Sequence, residues 1–246
     1  MNLLSSEERE KYFTAFKDEI KGKNFRQTEI VLCPPFIHLE SFNYWKNKKI
    51  RLGAQDVFSE DKGSYTGEIS PVMLKNFGCE YVIVGHSERR RYFSENNEEI
   101  NLKIIFALKQ GLKPILCIGE TKTENENHET LSVISKQVKE CLRDISRAKA
   151  EKIVIAYEPV WAVGSDLVPS AHDIMEAKVL IRKILVDLFG KKYAEKVLIL
   201  YGGSVNAKTA WQVIVEPGMD GALIGRESLN PREFLKIAEI INNFQF

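Results

Sequence analysis

Seven short apolar runs, at residues 29–33, 50–54, 81–84, 114–118, 153–157, 197–201 and 221–224, recur along the chain with amphipathic stretches between them. None of the runs alternates polar with apolar side chains as a half-solvated strand does, so both faces of each strand must be covered. That is the signature of a parallel sheet dressed with helices on its faces. The intervening residues 5–21, 95–110, 128–147, 172–189 and 231–242 carry apolar side chains three or four apart, the spacing of a helix with one buried face. Gly22, Gly111 and Gly190 follow three of them, where a left-handed helix end costs glycine little. Strand and helix alternate without a linker, a low-complexity segment or a shift in composition, so residues 1–246 are expected to form a single α/β domain.

Two architectures satisfy such alternation, an open doubly wound sheet and a closed (β/α)8 barrel. The open sheet usually carries a glycine-rich phosphate turn after its first strand, and "LCPPFIHLE" after the first run has none. The barrel is favoured, one strand short: seven runs are visible and the chain starts with a helix. In "LLSSEEREKYF", Ser5 followed three residues later by Glu8 reads as a capping box, with Leu4 as its staple.

Thirty-five Lys and Arg stand against thirty-four Asp and Glu, a net charge of +1. This balance draws the chain neither to nucleic acid nor to an anionic membrane, and attraction for an anion has to be local. No apolar run approaches the roughly 20 residues that cross a bilayer, and the first twenty residues are too charged for an export signal. A cytoplasmic protein is expected. Cys33, Cys79, Cys117 and Cys141 lack metal-ligand spacing and lie in or beside apolar stretches, as reduced, buried thiols do.

In a barrel the reacting groups stand at the C-terminal ends of strands. His86 ends one run, ahead of a short helix beginning Ser87-Glu88-Arg89-Arg90, and an imidazole at a helix N-terminus is biased toward its neutral form. Glu158 ends another run, and Pro159 stops that strand from regular pairing. A carboxylate partly desolvated by a closing loop is a stronger base than one in water. Each residue alone is equally readable as structural, a satisfied histidine or a salt-bridged glutamate. Gly164 in the loop after Glu158, Gly202, Gly203 and Ser204 in "LYGGSVN", and Gly225 and Arg226 in "GALIGRESL" add turns whose backbone N–H groups can cradle a phosphate without net positive charge. Residues 159–169 read either as an apolar lid or as a packed connector.

Together "GAQDVF", "GSYTGEIS", "YVIVGHSERR", "PILCIGE", "IAYEPVWAVG", "YGGSV" and "GALIG", in this order and spacing, resemble the triosephosphate isomerase family from about residue 33 to the C-terminus. The resemblance implies that Glu158 is the base and His86 the electrophile. It makes Gly164, Ser204, Gly225 and Arg226 the contacts to substrate phosphate, with Glu88 and Gly203 supporting, and residues 159–169 the lid. It implies isomerisation of a phosphorylated triose without metal or other cofactor, and a homodimer formed through residues 63–70.

The departures are as specific. Residues 165–169, Ser-Asp-Leu-Val-Pro, replace the family's usual far hinge of the lid, and Arg226 stands where the family often has a second glycine. The family's first strand ends in Asn-x-Lys-Met-Asn, and here Met1 and Asn2 resemble only its tail. An isomerase impaired by loss of that lysine is therefore the leading expectation. The competing one is a catalytically dead barrel that binds a phosphorylated metabolite or a protein partner.

Overall fold

The computed structural model describes residues 1–43, 50–163 and 167–244. Its seven strands are β1 (Ile30–Leu32), β2 (Ile50–Ala54), β3 (Tyr81–Val84), β4 (Lys113–Ile118), β5 (Val154–Tyr157), β6 (Leu198–Tyr201) and β7 (Gly221–Ala222). They form one parallel sheet in chain order, each strand pairing with the next. A helical segment lies between every consecutive pair.

Alternate side chains explain why the runs are apolar throughout. Tyr81, Ile83, Ile115, Cys117, Val154 and Ala156 meet in one cluster on the inner face of the curled sheet. Their neighbours Val82, Val84, Leu116, Ile118, Ile155 and Tyr157 belong to the larger core. That core includes helix residues such as Ile100, Ile104, Ile134 and Ile181. With period two and both faces buried, the strand interiors are apolar, and the charged Arg51 and Lys113 stand only at half-buried positions near strand starts. The architecture is a β/α barrel with seven strands, as the patterning predicts.

Several boundaries differ from the sequence reading for local reasons. The leading helix, Ser6–Glu19, is capped by Ser5 Oγ, which accepts from Glu8 N at 3.1 Å. The Glu8 carboxylate accepts from Leu4 N instead of closing the box on Ser5. Leu4 is 75% exposed and staples nothing, while Leu3 is buried. The expected helix over 128–147 is Thr130–Cys141, followed after a left-handed Asp144 (φ 62°) by the short helix Arg147–Ala150. The helix expected over 95–110 is Asn97–Lys109, because Asn96 is its cap and forms a complete capping box with Glu99. Gly22, Gly111 and Gly190 do take positive φ.

Among the described residues β1 and β7 do not pair with each other, and the sheet is open between them. A cavity of about 800 Å³ opens at this seam and extends along the inner face of the sheet, lined by Ile30 and Leu32 of β1, by Tyr81, Ile83, Ile115 and Val154, by Leu198 and Leu200 of β6, by Leu223 and by Phe234 of the last helix. The helices close over it even though the strands do not. The leading helix packs against the last, Pro231–Phe244. Near their contact Lys23 Nζ lies 2.6 Å from Glu239 Oε2 and Asn242 Nδ2 donates to Asn24 O at 3.4 Å.

Candidate active site

His86 and Glu158 leave the C-terminal ends of β3 and β5 and come together. His86 is the cap of the helix Ser87–Tyr92, and its Nδ1 accepts from Glu88 N at 3.4 Å. With Nδ1 accepting, Nε2 is the ring nitrogen left to donate. That nitrogen lies 3.4 Å from Glu158 Oε1. Glu158 is only 2% exposed, and its Oε2 accepts from Ser87 N at 3.1 Å. The short contact to His86 is off the line of a hydrogen bond, and Glu158 Oε1 is buried without a partner. A buried carboxylate oxygen left unsatisfied beside an N–H donor is costly unless something else takes it up.

Two glycines make room for Glu158, one for its backbone and one for its side chain. A Cβ on Gly119, just past β4, would lie 1.8 Å from the Glu158 carbonyl oxygen. One on Gly202, just past β6, would lie 2.7 Å from Glu158 Cγ. Gly202 thus shapes the bed of Glu158, a duty its place in a glycine-rich turn did not reveal. Below the carboxylate, burial and then the charge of Glu158 hold the Cys117 thiol well above its ordinary pKa. Of the four cysteines, Cys79, Cys117 and Cys141 are buried and Cys33 is half-buried.

The start of the expected lid is anchored by a residue the sequence reading passed over. Glu120 ends the "PILCIGE" run two residues beyond β4 and is fully buried. Its Oε1 accepts from Trp161 Nε1 at 2.7 Å, its carboxylate from Tyr157 Oη at 3.2 Å, and its backbone oxygen from Val160 N at 3.0 Å. Burial pushes its carboxyl pKa up, opposed by the Trp161 and Tyr157 hydrogen bonds. The available signal was positional: a glutamate just past a strand end, as for Glu158. Trp161 here donates to a buried carboxylate, on the turn Val160–Ala162. Gly164, together with Ser165 and Asp166, lies outside the described residues.

Of the remaining candidates, Gly203 and Ser204 follow β6, Gly225 and Arg226 follow β7, and Glu88 lies on the helix Ser87–Tyr92. Ser204 Oγ donates to Ala162 O at 2.8 Å, so it touches the lid segment. Gly203 passes against the Tyr201 ring, whose oxygen would lie 2.3 Å from an added Cβ. Gly225 has open space where a Cβ would stand, and Arg226, exposed, begins the turn Arg226–Leu229 without positive φ. The Glu88 side chain is 70% exposed, with Oε2 3.9 Å from His86 Nδ1. Among the described residues no hydrogen bond or ion pair joins Gly225 or Arg226 to Glu158 or His86, and β6 stands between β7 and β5.

A model of the triosephosphate isomerase family matches residues 1–241. The chain belongs to the triosephosphate isomerase family. Its similarity to curated members is high over most of its length. The triosephosphate isomerase of Dictyoglomus thermophilum is 48% identical over 219 residues, covering 89% of this chain and 88% of that protein. That of Dictyoglomus turgidum is 46% identical over 231 residues, covering 94% and 92%. The enzyme of Thermoanaerobacter pseudethanolicus is 44% identical over 212 residues, 86% of each chain. Triosephosphate isomerase family membership extends the likeness beyond the motifs, since the match includes the helices between them.

Proposed function

We propose that this chain interconverts dihydroxyacetone phosphate and glyceraldehyde 3-phosphate through an enediolate, with Glu158 as general base. The observation that carries the reading is the buried Glu158 carboxylate, 2% exposed, with Oε1 3.4 Å from His86 Nε2. Glu158 takes a proton from the carbon next to the carbonyl. The C–H electron pair becomes the enediolate double bond, and charge moves to the carbonyl oxygen, where His86 Nε2–H donates to it. Return of the proton to the neighbouring carbon, with the hydroxyl proton passing between the two oxygens, completes the isomerisation. Gly164, Ser204, Gly225 and Arg226 hold the phosphate through backbone N–H groups and the Ser204 hydroxyl, supported by Gly203 and Glu88. Closure of residues 159–169 excludes water from the enediolate.

The proposed setting is the cytoplasm; among the described residues no helix is long and apolar enough to cross a membrane. The proposed assembly is a homodimer through residues 63–70. It is supported by the exposure of Tyr65 at 46%, and of Met73 and Phe77 on and after the next helix at 48% and 44%. A coupled assay of glyceraldehyde 3-phosphate conversion, run beside a binding isotherm for 2-phosphoglycolate, tests the reading. Turnover with binding is expected. Tight binding without turnover would replace it by the phosphometabolite-binding barrel.

A further inference from the structure

Asp56, just past β2, Arg89 on the helix Ser87–Tyr92, Glu95 in the turn after it and Lys103 on the helix Asn97–Lys109 meet as a four-membered charge cluster. Arg89 Nε lies 3.0 Å from Asp56 Oδ2 and 2.5 Å from Glu95 Oε1. Lys103 Nζ lies 2.7 Å from Asp56 Oδ1 and 2.5 Å from Glu95 Oε1. Asp56, Glu95 and Lys103 are buried. Two cations balance two anions, which is what permits charges there at all.

The cluster has a mechanical consequence. The helix Ser87–Tyr92 has six residues, far fewer than the roughly 12–15 that an isolated helix needs to be even marginally stable. Its orientation is therefore set by anchors. Arg90 supplies one set, donating to Gly85 O at 2.8 Å, Asn97 Oδ1 at 2.7 Å and Cys117 O at 3.3 Å. Arg89 supplies the other, tying the helix to the end of β2 and to Lys103. The groups presented to Glu158 come from this helix's first turn: the His86 cap and Ser87 N.

We propose that Asp56, Arg89, Glu95 and Lys103 act as positioning residues, fixing the tilt of the Ser87–Tyr92 helix so that His86 Nε2 and Ser87 N both meet Glu158. The inference deepens the isomerase reading and rests on it for the kinetic arm alone. None of the four touches substrate. Charged groups facing His86 are Glu158 from β5 and Glu88 from its own helix, and the cluster acts on neither directly.

The test compares the parent with Lys103→Met, with the charge-balanced double variant Asp56→Asn/Lys103→Met and with the conservative Arg89→Lys. Leu235→Ala, in the last helix, serves as a destabilised control. His86 is observed through its imidazole nitrogens by NMR, across pH, alongside circular dichroism, melting temperature, kcat and KM. In Lys103→Met and the double variant the His86 Nε2 resonance is expected to move from the parent's, because a tilted helix alters the meeting of Nε2 with Glu158. kcat should fall about tenfold or more with KM within about twofold. Arg89→Lys should lie between these and the parent, and Leu235→Ala should leave His86 unchanged. Should Lys103→Met fail to fold, the charge-balanced variant and Arg89→Lys decide. Folded variants whose His86 Nε2 resonance coincides with the parent's across pH overturn the inference. So does an equal shift in Leu235→Ala. A parent that binds but does not isomerise overturns the proposed activity instead, and the NMR comparison still judges the cluster.

Discussion

The sheet has a closed wall and an open seam, and the two are built to different standards. Along the wall, β3, β4, β5 and β6 pair residue for residue over four positions each, and β3 and β5 are buried at every residue. At the seam β7 has two residues, β6 begins with an exposed Leu198, and neither β1 nor β7 has a second neighbour among the described residues. His86, Glu120 and Glu158 all hang from the wall. Gly225 and Arg226 hang from the seam. The proposed base and electrophile thus sit where pairing is double-sided, and two of the proposed phosphate contacts where it is not.

The largest expected effect comes from closing the seam. An extended apolar strand ending in Asn-Trp-Lys, fused ahead of Met1, would bury about four large side chains in the cavity. At about 1.5–3 kcal/mol each this gives roughly 6–12 kcal/mol as an upper bound. A rise in melting temperature of more than about 10 °C is expected, with turnover up by about 10² from the added cationic donor. Unchanged melting and turnover would mean that the seam is not strand-shaped.

Next, the division of labour is separable by kinetics. Glu158→Gln on the wall should lower kcat by about 10² to 10⁴ with little change in 2-phosphoglycolate affinity. Gly225→Ala at the seam should raise KM severalfold and leave kcat within about threefold. Equal kcat losses in both would erase the distinction.

A smaller contrast is in packing. Ile155→Ala, fully buried in the wall, should cost about 2–5 kcal/mol in denaturant unfolding. Leu198→Ala, half-exposed beside the cavity, should cost less than about 1 kcal/mol. Comparable losses would mean that the cavity is filled in solution.

The smallest effect is a slope with pH. Burial raises the Glu120 pKa in the folded chain, so its contribution favours folding at low pH and is lost as pH rises from about 4.5 through the folded value. Glu120→Gln removes that loss while keeping an acceptor for Trp161. Its melting temperature relative to the parent should therefore climb by a few degrees between about pH 4.5 and 8. A constant difference across that range would show that Glu120 is not held protonated by burial.

What the sequence determined by itself follows from periodicity and local chemistry. Uniformly apolar runs demand strands buried on both faces. Glycine after a helical stretch marks a left-handed end, and the helix boundaries at Ser5 and Asn96 are set by side chains within three residues. The pairing of His86 with Glu158 was legible as two strand ends and a family likeness, because strand ends on one side of a parallel barrel converge. Other features needed the tertiary structure because they depend on distances between residues far apart in the chain. Gly119 and Gly202 are glycines on account of Glu158, not of their own turns. Glu120 finds Tyr157 and Trp161 only once β4 and β5 are side by side. Nothing in the sequence marks Asp56, Arg89, Glu95 and Lys103 as a set, and only folding brings them into charge balance. The closure of the helices over an open sheet was likewise decided in three dimensions. Helix packing needs only apolar faces in contact, whereas strand pairing needs a backbone edge within hydrogen-bond reach.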